Sequence, residues 1–179
     1  MSLPVPEFSH IVNVRDLHQD GANYDISASE TDCAKLAARF GLVTIGGLNA
    51  KLRLARRAQG AVRLNGKITA QVTQTCVATL DTVREDIEVD IDIVFRPNFD
   101  DLALDDPEID NELDFEPLIG DTLDIGEIVS EEMALSLTPY PRAAAAPMIG
   151  PDSDDVDAGS RSERPFAALA ALNAGNAEN

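Results

Sequence analysis

The chain has no tryptophan, two cysteines, two histidines and only eight aromatic residues in 179. Cys33 and Cys76 cannot form a disulfide framework, and so sparing a use of cysteine fits a reducing compartment. No stretch approaches the roughly 18 consecutive apolar residues of a membrane span. The segment from Met1 to Pro6 lacks the charged-then-apolar pattern of a secretory signal. A cytoplasmic protein with no membrane partner is the expectation. Motifs for enzymatic chemistry are missing as well: no Gly-x-Gly-x-x-Gly, P-loop, Gly-x-Ser-x-Gly or His-Glu-x-x-His occurs. His10 and His18 fall in an N-terminal strand and the turn after it, where surface or packing roles account for both. No catalytic residue, metal site or cofactor is expected.

Positive charge is scarce too, with 14 basic against 32 acidic side chains and a net charge of −18. The 44% of hydrophobic residues suffices for one core and excludes a collagen-like, coiled-coil or wholly disordered chain. The charge is unevenly placed. Residues 1–72 carry nine basic and six acidic side chains, whereas residues 73–179 carry five and 26. Lys51, Arg53, Arg56, Arg57, Arg63 and Lys67 fall in a stretch of 17 residues without an acid. A global negative charge repels nucleic acid at long range, but a local basic patch still holds phosphates within a Debye length of about 8 Å.

The patterning predicts an α+β fold over residues 1–142: a twisted antiparallel β-sheet, open or barrel-like, with two or so flanking helices. A strand is expected over 8–17. Ser29 as N-cap and Gly41 as C-cap bound a helix over 30–40. Residues 42–57 read as extended, with Leu48, Ala50, Leu52 and Leu54 on one face, Lys51 and Arg53 on the other, and a bulge or bend at Gly46-Gly47. Period-2 alternation is strictest in 61–73 and 83–95, which predicts two half-buried antiparallel strands joined by a hairpin over Gln74 to Thr82. A register centred near Val77 and Ala78 places Lys67 opposite Glu88 and Arg63 opposite Asp92, pairs worth about 0.2–1 kcal/mol each. Structural pairing and phosphate contact are thus both open to these two residues.

Residues 98–120 read as an exposed acidic loop broken by Pro107 and Pro117. An EF-hand-like reading of this stretch fails because Phe115 stands where a calcium loop needs glycine. Asp124 and Glu127 have capping-box spacing for a second helix over 125–137, with Ile125, Ile128, Val129 and Met133 as its core stripe. Residues 143–179, rich in Ala, Gly, Pro, Ser and Asp, predict a disordered tail with a short helical motif at 165–172.

Four stretches stand out: Val72-Thr-Gln-Thr-Cys-Val-Ala-Thr-Leu80, the acidic loop after Phe95-Arg-Pro97, the run from Asp124 to Leu137 into Thr138-Pro-Tyr-Pro-Arg142, and Arg164-Pro-Phe-Ala-Ala-Leu-Ala-Ala-Leu172. In this order they resemble the bacterial large ribosomal RNA subunit accumulation protein family, the YceD type. The resemblance implies a mixed fold and a role in synthesis, processing or stability of large-subunit ribosomal RNA, with no catalytic residues. Many members carry Cys-x-x-Cys in the hairpin; this chain has Cys76 and Thr79, so two-cysteine metal binding from that loop is not possible.

Two modes of action follow. In one, Lys51, Arg53, Arg56 and Arg57 contact the phosphates of large-subunit ribosomal RNA, with no aromatic in the basic band to read bases. In the other, Asp105, Asp106, Glu108, Asp110, Glu112 and Asp114 hold a basic protein such as a ribosomal protein. Both place opposite charges on separate surfaces. DNA is not an expected partner. A metal-dependent nuclease using the acidic loop ranks last, because loop carboxylates lack the rigid scaffold of a two-metal site.

Overall fold

Strict alternation between residues 62 and 96 builds the two longest neighbouring strands of the molecule, and the rest of the fold packs around them. The computed structural model describes residues 6–18, 20–97 and 114–147, all but the last of which lie in one unit, Met1–Ala146. The elements are β1 (Ile11–Asn13), β2 (Ala22–Ser27), α1 (Glu30–Phe40), β3 (Thr44–Arg56), β4 (Val62–Thr75), β5 (Thr82–Arg96), β6 (Asp114–Pro117), β7 (Thr122–Asp124) and α2 (Ile125–Leu135). The predicted tail and its 165–172 motif lie outside the described residues, apart from the first few positions, as does the acidic stretch 98–113.

Five strands form one sheet in the order β2-β3-β4-β5-β6. The first four pair antiparallel, and β6 joins parallel to β5. The sheet stays open with β2 and β6 at its edges, so the barrel-like alternative is not realised. A separate two-stranded sheet pairs β1 with β7. The expected strand over 8–17 is reduced to three residues, followed by a 3-10 turn over Val14–Asp16 whose Asn13 side chain accepts the Arg15 N–H at 2.9 Å. Part of the expected acidic loop is regular structure, since β6 falls near its C-terminal end and β7 follows directly after it.

Both helices start as their caps dictate. The Ser29 hydroxyl accepts the Asp32 N–H while the Asp32 carboxylate accepts the Ser29 N–H, and Gly41 closes α1 at φ 67°. At α2, Asp124 accepts the N–H groups of Gly126 and Glu127 at 3.1 and 3.3 Å, but the expected reciprocal bond from Glu127 is not made. Glu127 binds Arg39 of α1 instead.

The core lies on one face of the five-stranded sheet. Leu48, Ala50, Leu52 and Leu54 of β3, Val62, Leu64, Ile68, Ala70 and Val72 of β4, and Ile87, Ile91, Ile93 and Phe95 of β5 are buried there. Leu36 of α1 and Ile125, Val129 and Met133 of α2 are sealed in the same cluster with no accessible surface. Burying each such side chain contributes about 1.5–3 kcal/mol. Gly66 occupies a core-face position of β4 opposite Leu52, where a Cβ would lie 2.1 Å from the Lys51 carbonyl oxygen. Only glycine allows the two strands to approach so closely.

Candidate nucleic-acid interface

Because the buried residues occupy one face of β3, β4 and β5, alternation leaves the opposite face polar. Two rows cross its four strands: Asn23 and Asp25 of β2 lie opposite Arg53 and Lys51 of β3, which lie opposite Asn65 and Lys67 of β4, which in turn lie opposite Asp92 and Asp90 of β5. The face is therefore sorted by strand, with basic residues in the middle and the acids Asp86, Glu88, Asp90 and Asp92 along β5. Opposite charges thus share this face on neighbouring strands, while the acids 105–112 of the expected acidic surface lie outside the described residues.

The ion pairs expected between β4 and β5 form, but not in the expected register. Thr69 rather than Lys67 lies opposite Glu88, and Asn65 rather than Arg63 opposite Asp92, an offset of two residues. Lys67 and Arg63 reach diagonally to the same acids. Lys67 binds Glu88 and lies 3.8 Å from Asp90, and Arg63 binds Asp92 through two nitrogens. Diagonal neighbours on one face are within reach of long side chains. Hydrogen bonding from Lys67 holds the Glu88 carboxyl below its usual range, and Arg63 does the same to Asp92. Lys67 is raised in turn, chiefly by Glu88.

The four candidate RNA-contacting residues separate. Lys51 and Arg53 are exposed on the polar face and border a concavity of about 350 Å³ with Asn23, Asp25 and Asn65. Among the described residues neither forms a salt bridge; Arg53 donates to the Asp20 carbonyl at 2.7 Å. Arg56 has the parity of the core face. Its guanidinium donates to the Val14 carbonyl at 2.8 and 3.2 Å and to that of Arg15 at 2.6 Å, tying the N-terminal 3-10 turn to the end of β3. Arg57 is exposed in the β3–β4 turn, where its N–H donates to Ala61. Of the proposed acidic residues, Asp105, Asp106, Glu108, Asp110 and Glu112 lie outside the described residues, and Asp114 opens β6. Asn23 and Asn65, which flank Arg53, were missed by pattern reading. The alternation in Tyr24-Asp25-Ile26-Ser27 was the available signal for β2.

A second structured surface lies where β4 turns into β5. Cys76 is fully buried, and its Sγ accepts N–H groups from Ala78 and Thr79 at 3.4 Å and from Ala143 at 3.3 Å. The Thr79 side chain and the Ala143 N–H are the chief causes that lower this thiol to about 6, against the opposing effect of burial. The segment after α2 docks on this loop, with the Val77 N–H donating to the Pro141 carbonyl at 2.9 Å and Gln74 Nε2 donating to the Thr138 carbonyl at 3.2 Å. The two most motif-like stretches of the sequence are thus neighbours in space. Among the described residues, no group of three or more His, Cys, Asp or Glu is placed to hold a metal ion, and no helix is long and apolar enough to cross a membrane.

The described residues form an open α+β sheet with helices over one face and a charge-sorted polar surface on the other. The chain belongs to the family described as Large ribosomal RNA subunit accumulation protein YceD, whose model matches residues 64–173. The matched region contains the docked hairpin loop and α2 but begins after Lys51 and Arg53. The family's description ties the chain to accumulation of large-subunit ribosomal RNA. No curated protein and no solved structure matches it.

Proposed function

We propose that this protein is a non-enzymatic factor of ribosome biogenesis that supports the accumulation, processing or stability of large-subunit ribosomal RNA by binding it. The bacterial cytoplasm, where ribosome precursors assemble, is its place of action. The observation that carries the reading is the pair Lys51 and Arg53, exposed on the polar sheet face, Arg53 between Asn23 and Asn65 and Lys51 between Asp25 and Lys67, with neither in a salt bridge among the described residues. Two such cations take backbone phosphates, while Asn23 and Asn65 offer hydrogen bonds to ribose or base edges. Binding of this kind weakens with salt as counterions are released.

The Lys51→Ala/Arg53→Ala double variant tests it, with a large-subunit RNA fragment titrated at several salt concentrations. Weaker binding and a salt slope reduced by about 1.4, for two phosphate contacts to a single strand, are expected. Unchanged affinity and slope would remove the reading. A second mode rests on the acid row of β5: Asp86, Glu88, Asp90 and Asp92 offer a basic protein a ladder that Lys67 and Arg63 neutralise only in part. Loss of ribosomal-protein capture on replacing Asp86 and Asp90 by asparagine, with RNA binding intact, would favour that mode.

A further inference from the structure

We propose that the docked end of the β4–β5 hairpin is a base-stacking site for unpaired RNA, with Tyr140 as its platform. The inference rests on RNA being the partner, as in the reading above, but it uses a different surface and a different kind of contact. The polar sheet face has cations and amides but no exposed ring, so it offers bases nothing to stack on.

Tyr140 is 75% exposed, whereas the other described aromatic side chains are buried or partly covered. It stands between Pro139 and Pro141, whose rings restrict the backbone on both sides. Bonds on either side of it pin the segment to the hairpin. Thr138 donates its hydroxyl to Glu85 at 2.7 Å and accepts from Gln74, Pro141 accepts from Val77, and the Ala143 N–H points at the buried Cys76 sulfur. An exposed ring held this firmly loses little freedom when a base is laid on it.

The loop beneath adds two further apolar side chains. Val77 is 53% exposed and Leu80 77%. Leu80 adopts φ 64°, an uncommon conformation for a branched residue, and its N–H is fixed to the Cys76 carbonyl at 3.0 Å. The loop thus holds a leucine outward at a conformational cost. The described residues after 72 contain three basic side chains, Arg84, Arg96 and Arg142. Arg96 lies over the Phe115 ring, 4.3 Å from its centroid. Arg84 lies opposite Thr73 near the hairpin end. An exposed aromatic ring together with exposed apolar side chains on the loop it docks against suits a splayed base.

The composition of the chain supplies a direct probe. It has no tryptophan and two tyrosines, so Tyr24→Phe, which keeps the ring packed edge-on to His10, leaves Tyr140 as the sole intrinsic emitter. The full chain in this background is titrated with a 12-nucleotide single-stranded RNA and with an abasic strand of the same length. Quenching by the base-bearing strand alone is expected. Tyr140→Ala should weaken that strand by roughly 5- to 100-fold and leave the abasic strand unaffected, and Tyr140→Phe should retain binding. Equal quenching by both strands, or unchanged affinity in Tyr140→Ala, would overturn the proposal. If Tyr140→Ala keeps RNA affinity but loses captured ribosomal proteins, the tip is a protein contact and the proposal fails. A salt slope insensitive to Lys51→Ala/Arg53→Ala would sink the sheet-face reading while leaving the quenching in place, so the two can fail separately.

Discussion

Cys33 and Cys76 are both buried, yet their thiols are driven in opposite directions. Burial, reinforced by the charge of Asp32, pushes Cys33 up. Hydrogen bonding from Thr79 and Ala143, with Ala78 adding a third backbone donor, brings Cys76 down to about 6 from an unperturbed 9.0. The folded protein then releases this proton near pH 6 while the unfolded chain keeps it until about pH 9. Unfolding takes up a proton between those values, so stability rises with pH across the window, is complete above 9 and is lost as pH falls through 6. Urea midpoints measured from pH 5.5 to 9 should show this rise, and Cys76→Ser should flatten it. No pattern in the sequence disclosed this, because the donors on sulfur come partly from Ala143, 67 positions away. Gly66 is a second residue whose role depends on its neighbour. Gly66→Ala sets a methyl 2.1 Å from the Lys51 carbonyl, against backbone that cannot swing aside. A loss of at least about 1–3 kcal/mol in urea unfolding is expected.

At the scale of elements, what was legible was what is local. Helix α1 runs between the two caps read from Ser29 and Gly41, since a cap is settled within four residues. Ser29→Ala should cost about 1 kcal/mol, measured by thermal or urea unfolding. The Gly46-Gly47 irregularity also appears as expected, as a register shift between Ile45 and Gly47 against β4. The β4–β5 register was off by two residues even though the ion pairs were right. Alternation has period two, so that slip preserves every face assignment, and long side chains closed the diagonal. Only the loop geometry around Cys76 distinguishes the two registers. Strand β2 went unread because its alternation is short and its partner lies in β3 across α1. Helix α2 ends at Leu135, two residues short of its expected limit.

For the whole molecule, the charge pattern is the feature that folding rearranges most. A basic stretch and the acidic strand that follows it through the hairpin become neighbours on one face, where Lys67 and Arg63 tie them together. On the far side, Arg39 joins Glu7 at 3.0 Å and Glu127 at 2.8 Å, linking the N-terminal segment, α1 and α2. All three side chains are about one-third exposed or less, so the junction is worth more than an open surface pair. Arg39→Met should lower stability by about 1–2 kcal/mol and speed amide exchange in β1 and at the start of α2. Composition and periodicity by themselves determined that this chain makes an α+β domain with amphipathic strands, two capped helices and segregated charge, because hydrophobic alternation and capping act over a few neighbouring residues. Tertiary structure alone decided that Arg53 lies between Asn23 and Asn65 while Arg56 clamps backbone carbonyls, and that Tyr140 stays exposed in the segment docked on the Cys76 loop. Those outcomes depend on strand order, register and docking between residues far apart in the chain, which no local pattern encodes.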